Sequence, residues 1–150
     1  MDNIDKLIVH GLVVTVDDDE TLIEDGAIAI SGTDIVAIGP FCELSPQYRA
    51  AEVIDATGHI VMPGLINAHT HVPMTLLRGL ADDLRLDVWL MGYMMPVERE
   101  FVSPEFVRLG TQLACVELIR NGITCFADMY YFEEQVARAT SEIGLRAMCS

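Results

Sequence analysis

The chain has 150 residues, is 51% hydrophobic, and carries 23 acidic against 9 basic residues, for a formal net charge of −14. That is enough chain for one ordinary domain and enough apolar content for a core, which excludes a disordered segment. So acidic a surface repels nucleic acid and anionic membrane, which removes both from the expected partners.

The N-terminus, Met1-Asp2-Asn3-Ile4-Asp5-Lys6, lacks the basic start and apolar core of a signal peptide. No apolar run reaches the length of a membrane span. The four cysteines (Cys42, Cys115, Cys125, Cys149) are far apart and form no C-x-x-C pair, so they read as free thiols in a reducing compartment. A cytoplasmic location is expected.

Leu7 to Val16 is rich in β-branched residues and reads as one or two strands around Gly11. The acidic run Asp17 to Glu20 reads as a solvated hairpin tip, since it lacks the spacing of a calcium loop. Ala27 to Ser31 and Ile35 to Gly39 flank Gly32-Thr33-Asp34 in a hairpin pattern. After an irregular stretch containing Pro46, Val53-Ile54-Asp55 is a short strand and Ala56-Thr57-Gly58 a turn. Residues 1–60 are therefore expected to form a small all-β domain, with His10 and His59 in structural roles.

The run Ile60 to His71 is the centre of the remaining sequence. It is apolar without alternation, as in a parallel strand buried on both faces, and Pro63-Gly64 breaks the chain just before that strand. It ends in His69-Thr70-His71. Side chains alternate along a strand, so His69 and His71 point the same way and can grip one metal ion. Paired imidazoles suit zinc, iron or nickel.

Val72 to Val102 reads as a long connection of little regular structure, with short helical pieces such as Leu86 to Met91; such connections are usually functional. Ser103-Pro104-Glu105 announces a helix. On it Phe106, Leu109, Leu113, Val116 and Leu118 or Ile119 form an apolar stripe expected to face the core. Asn121-Gly122 ends that helix. Ile123 to Ala127 is a buried strand closed by Asp128, Phe132 to Ile143 a second helix, and Leu145 to Cys149 the start of a third strand. A cap for the segment after it is one reading of Asp128, and a place at the catalytic end of the strand is the other.

Strand, helix, strand, helix, strand is the signature of a parallel sheet with right-handed crossovers. No G-x-G-x-x-G follows the first strand, which disfavours a dinucleotide fold. His69, His71 and Asp128 stand at the C-terminal ends of strands, where β/α-barrels keep their catalytic groups. The expected fold class is α/β, with residues 1–60 as a small all-β piece and residues 61–150 as the first strands and helices of a β/α-barrel.

The segment Ala56-x-Gly58-x-x-x-x-Pro63-Gly64-x-Ile66-x-x-His69-x-His71 resembles the opening of the amidohydrolase superfamily. The likeness continues through Met74 to Leu84, Trp89, Pro96 and Glu98, and through Thr124 to Tyr130. Within the superfamily these segments resemble the 5'-methylthioadenosine/S-adenosylhomocysteine deaminases and their chlorohydrolase-like relatives, over essentially the whole chain. The resemblance implies that residues 1–60 are the N-terminal part of a small β-sandwich, that residues 61–150 begin a (β/α)8 barrel, and that the whole is a metal-dependent hydrolase in which His69 and His71 hold zinc, or iron or another divalent metal. A metal-activated water then attacks the ring carbon bearing the amino group, and ammonia leaves. It implies that Trp89 packs near the nucleoside and that Glu98 accepts hydrogen bonds from the ribose hydroxyls. The partner is a small nucleoside or heterocycle, and a homo-oligomer is compatible with the likeness. Guanine, cytosine and triazine-type substrates are the other chemistries in view.

The family also uses later histidines, an aspartate ligand and an acid–base glutamate, for which these 150 residues have no room: a closed barrel needs at least about 200 residues. The sequence is thus expected to be either the N-terminal portion of a longer enzyme, inactive by itself and without a catalytic acid–base residue of its own, or a truncated non-catalytic remnant.

Overall fold

The computed structural model describes residues 1–150, which divide into two compact units, Met1–Pro63 and Gly64–Ser150.

The first unit holds β1 (Asp2–Val14), β2 (Leu22–Ser31), β3 (Asp34–Pro40), the single turn α1 (Phe41–Leu44), β4 (Tyr48–Asp55) and β5 (Ile60–Val61). The sheet runs β3-β2-β1-β4, with β5 also on β1. β1–β2 and β2–β3 are antiparallel, while β4 and β5 lie parallel to β1. One core of Ile4, Leu7, Val9, Ala27, Ala29 and Leu44 backs the sheet. Leu7 to Val14 thus belongs to a single strand that begins earlier, at Asp2, and Thr15 and Val16 lie beyond its end. It is kinked where the register shifts between Ile8 and Gly11, and His10 there is left-handed with φ 60°. The His10 Nδ1 lies 2.8 Å from Asp25 Oδ1, and the His59 Nδ1 lies 3.0 Å from the Thr57 carbonyl oxygen. The acidic run is a turn: Asp17 accepts the Thr21 N–H at 2.9 Å and its hydroxyl at 3.0 Å. The amide bond, first of all, holds the Asp17 carboxyl below its usual range.

The second unit holds β6 (Leu65–Thr70), a 3-10 segment (Val72–Leu77), α2 (Leu86–Val88), a π-helical turn (Trp89–Met94), α3 (Met95–Phe101), α4 (Pro104–Arg120), β7 (Ile123–Asp128), α5 (Glu133–Ile143) and β8 (Arg146–Cys149). Its three strands are all parallel, in the order β6-β7-β8. The core gathers Val72, Val107, Ala114, Cys115, Phe126 and Val136. Phe126 therefore faces the helices, and by alternation Cys125 and Ala127 face away. Their cross-strand partners Ile66 and Met148 are 71% and 68% exposed, so the second face of this sheet carries apolar side chains open to solvent.

The structure corrects three readings. The strand after Pro63-Gly64 is not buried on both faces: the chain breaks there as expected, with Ile60-Val61 pairing to β1 in the first unit as β5, but β6 opens the second unit as an edge strand with most of its residues exposed. Apolar residues without alternation mean burial on both faces only when both faces are covered, and here one is not. The connection after His71 is largely helical, because Leu86 to Phe101 runs through three consecutive helical segments. The wider π turn ahead of Pro96 accommodates the amide that proline cannot supply.

The third correction concerns α4. Its buried residues are Val107, Gly110, Thr111, Ala114 and Cys115, while Leu109, Leu113, Val116 and Ile119 are exposed. Two apolar stripes fit helical spacing, and the helix buries the one built of smaller residues because that one permits close approach. A Cβ on Gly110 would meet the Pro73 carbonyl oxygen at 2.5 Å and its Cα at 2.8 Å. The caps are as expected: Ser103 Oγ accepts the Phe106 N–H at 3.2 Å, and Gly122 turns the chain with φ 74°.

Gly110→Ala should therefore force α4 off the 3-10 segment and destabilise the protein by about 1–3 kcal/mol, the usual cost of overpacking. Denaturant unfolding of the full-length variant reads this, and a wild-type midpoint would refute the packing argument.

Candidate active site

The site begins at an irregularity in β6. Asn67 pairs with Phe126 and Thr70 with Asp128, so three steps on β6 match two on β7, and one extra residue bulges out. Bulges re-aim side chains and free a backbone amide from the ladder. The His69 N–H is in this stretch, and the Asn67 side-chain oxygen accepts it at 3.2 Å. His71 comes directly after the strand. The two imidazole rings lie edge to face with centroids 5.1 Å apart.

His71 is held from the end of β7. Its Nδ1 is 2.6 Å from the Met129 carbonyl oxygen. A carbonyl only accepts, so Nδ1 carries the hydrogen and Nε2 keeps its lone pair. A backbone acceptor behind one ring nitrogen is the arrangement that orients metal-binding histidines. Two neighbouring imidazoles, one oriented in this way, fit as two ligands of a divalent metal. No group of three or more His, Cys, Asp or Glu side chains is arranged to hold one, whereas a catalytic zinc site uses three protein ligands and an open position.

Behind the histidines Asp128 is only 3% exposed. Its Oδ1 accepts the Val72 N–H at 2.7 Å, so it ties the residue after His71 to β7 and does not cap the segment that comes after it in sequence. Its Oδ2 has no partner, and neither does Glu133 Oε2 nearby. Burial above all, with help from the Glu133 carboxylate, pushes Asp128 up to about 7 against the opposing Val72 bond. A proton on Asp128 supplies the donor that this pair of buried oxygens lacks.

In front of the histidines is a cleft of about 370 Å³ lined by His71, Met74, Trp89, Leu90, Glu98, Met129, Tyr130 and Tyr131. The structure thus brings His71, Trp89 and Glu98 into one cavity, with His69 beside His71. The Tyr130 hydroxyl donates to Glu98 Oε1 at 2.8 Å. The sequence reading missed Asn67, Asp128 as a tether, the Met129 carbonyl and Tyr130. Backbone acceptors leave no trace in residue identity, but a polar Asn two residues ahead of His69 in an apolar strand is a signal that could have been followed. All four cysteines are free, with Cys115 buried and Cys42 exposed. No helix is long and apolar enough to cross a membrane.

Asp128 yields a pH prediction. Its carboxyl is raised in the folded state, so its contribution to stability is present below 3.8 and is lost as pH rises toward about 7. In metal-free protein, Asp128→Asn should flatten the fall in stability across that window while keeping an acceptor for Val72. Urea unfolding at several pH values measures it; parallel curves for the two proteins would contradict the assignment.

Comparison with known proteins adds to this geometry. Residues 60–150 match the amidohydrolase family. The chain is 45% identical over 148 residues to a 5-methylthioadenosine/S-adenosylhomocysteine deaminase of Syntrophus aciditrophicus, covering 99% of this chain and 33% of that protein. It is similar in structure to a zinc-bound adenosine deaminase from Xanthomonas campestris, with a TM-score of 0.94 and 42% identity over 97% of this chain and 33% of the other. It also resembles a zinc-containing atrazine chlorohydrolase from Arthrobacter aurescens, with a TM-score of 0.84 and 27% identity over 97% of this chain and 35% of the other. The chain spans about a third of the length of the curated relatives it matches.

Proposed function

Because the chain belongs to the amidohydrolase family, we propose that it contributes one side of the active site of a metal-dependent hydrolase that deaminates adenosine-type nucleosides such as 5'-methylthioadenosine, S-adenosylhomocysteine or adenosine. The observation that carries this reading is the convergence of an imidazole, an indole and a carboxylate on one cleft. Its three-stranded sheet would be the opening of a (β/α)8 barrel, and its N-terminal sheet part of a β-sandwich.

In this reading His69 and His71 hold a divalent metal, zinc by likeness to the zinc-bound relatives. The metal, when bound, supplies Lewis acidity and an activated water at neutral pH. The Met129 carbonyl orients the His71 imidazole, and Asn67 holds the backbone N–H of His69. Trp89 offers an apolar face to the purine, and the apolar wall around it keeps bulk water from the reacting ring. Glu98 accepts hydrogen bonds from the ribose hydroxyls, a charge-assisted contact that needs no proton transfer. A carboxylate in an otherwise apolar and aromatic cleft calls for a substrate with hydrogen-bond donors, which the paired ribose hydroxyls of a nucleoside supply.

Metal analysis of full-length protein should find one divalent ion in the wild type and none in the His69→Ala, His71→Ala double variant; stoichiometric metal in the variant would sink the ligand assignment. Glu98→Gln should keep the metal but reduce the preference in kcat/KM for a nucleoside over its dideoxy counterpart, which lacks both ribose hydroxyls. The expected reduction is about 10- to 150-fold, the equivalent of about 1.5–3 kcal/mol for a hydrogen bond to a charged group. An unchanged preference would remove Glu98 from the ribose site.

A further inference from the structure

Resting on that reading of the cleft, we propose that Tyr130 is a positioning residue for ribose recognition: its hydroxyl fixes the Glu98 carboxylate in the orientation that receives the two ribose hydroxyls.

Glu98 sits on α3, at the far end of the long segment that leaves His71, whereas Tyr130 stands two residues past β7. Their bond bridges 32 positions of sequence and ties that segment to the end of β7 beside the metal-binding pair. A carboxylate has no hydrogen to give, so the tyrosine must donate. Burial first, and then the Glu98 acceptor, push the Tyr130 hydroxyl far above its ordinary value, so it remains a donor throughout the range in which enzymes work.

Tyr130 is itself fixed at several points. Its backbone N–H donates to Glu133 Oε1 at 2.5 Å, and its ring packs 5.0 Å from Tyr131 and 6.2 Å from His71, centroid to centroid. A rigid donor therefore meets a side chain with several rotatable bonds and removes most of its freedom before any ligand arrives.

The acceptor count leaves room for the substrate. A carboxylate offers about four lone-pair sites, of which the tyrosine occupies one. No protein donor reaches Glu98 Oε2, which is not sealed from solvent. Two neighbouring hydroxyls can then be received together, which a freely rotating carboxylate would do only after paying the ordering entropy.

The test is a double-mutant cycle in the full-length, metal-loaded protein, using Tyr130→Phe, Glu98→Ala and their combination, assayed on a nucleoside and on its dideoxy counterpart. Tyr130→Phe should lower kcat/KM for the nucleoside about tenfold, mainly through KM, because it weakens binding remote from the reacting carbon. It should lower the value for the dideoxy compound far less. In the Glu98→Ala background the same substitution should cost nothing more, since no carboxylate remains to be held. Unchanged metal content shows that the loss is not a general collapse of the site. Equal losses on both compounds, additive losses in the double variant, or wild-type KM in Tyr130→Phe would each overturn the inference. If Glu98→Ala itself leaves nucleoside turnover intact, the ribose role of Glu98 falls and the inference falls with it. If Glu98→Ala is impaired and Tyr130→Phe is not, only the role of Tyr130 is lost.

Discussion

The bond from the Val72 amide to the buried Asp128 carboxyl is the constraint on which the rest of the second unit depends. β6 and β7 are joined along their length by ladder bonds, but the ladder stops at Thr70, and the chain beyond it would otherwise be free to leave the sheet. Asp128, Met129 and Tyr130 take over in succession. The first accepts the amide after His71, the second accepts from the His71 ring, and the third reaches Glu98. Three consecutive residues thus secure three parts of the segment that overhangs the cleft. Burying a carboxyl to do so is costly, which is why Asp128 is raised and why Glu133 stands near enough to share its proton.

The chemistry of the cleft is set by the side chains around that tether. Its walls are methionine, leucine, tyrosine and tryptophan, with one imidazole and one carboxylate, and it contains no arginine or lysine. A surface of net charge −14 adds no attraction for anions. The cleft therefore offers apolar and aromatic contact with a single carboxylate as its charged acceptor.

Much of this was legible in the sequence, and the failures have physical causes. His69 and His71 could be proposed because residue type and spacing together define the motif, and Trp89 and Glu98 because the likeness extended to them; the structure places His71, Trp89 and Glu98 around one cleft with His69 beside His71. The caps of α4 were legible because Ser, Pro and Gly act locally. The buried face of α4 was not. Two stripes satisfied the helical period, and size reasoning favoured Leu109 and Leu113, but the helix turned Gly110 and Ala114 inward where the Pro73 backbone left no space for larger groups. Periodicity reports that a face is apolar and does not report how closely its neighbour stands. The uncovered face of β6 was hidden for a similar reason, because apolar composition does not say which faces of a strand are covered. Tyr130 was overlooked because its role depends on a contact 32 positions away.

The spacing of the second unit also dictates an order of assembly during synthesis. β1 meets β4 and β5 within the first 63 residues, so every ladder of the first unit can form before Gly64 has been added. His69 and His71 emerge next, yet the Met129 carbonyl that orients His71 lies 58 positions later. At about 5–20 residues per second the histidine pair waits roughly 3–12 seconds for its support. During that interval it is a flexible, exposed pair of imidazoles on an unpaired strand. The nascent chain can therefore acquire the motif well before it acquires the geometry, and the orientation of His71 becomes a late event, gated by the arrival of β7 and Met129.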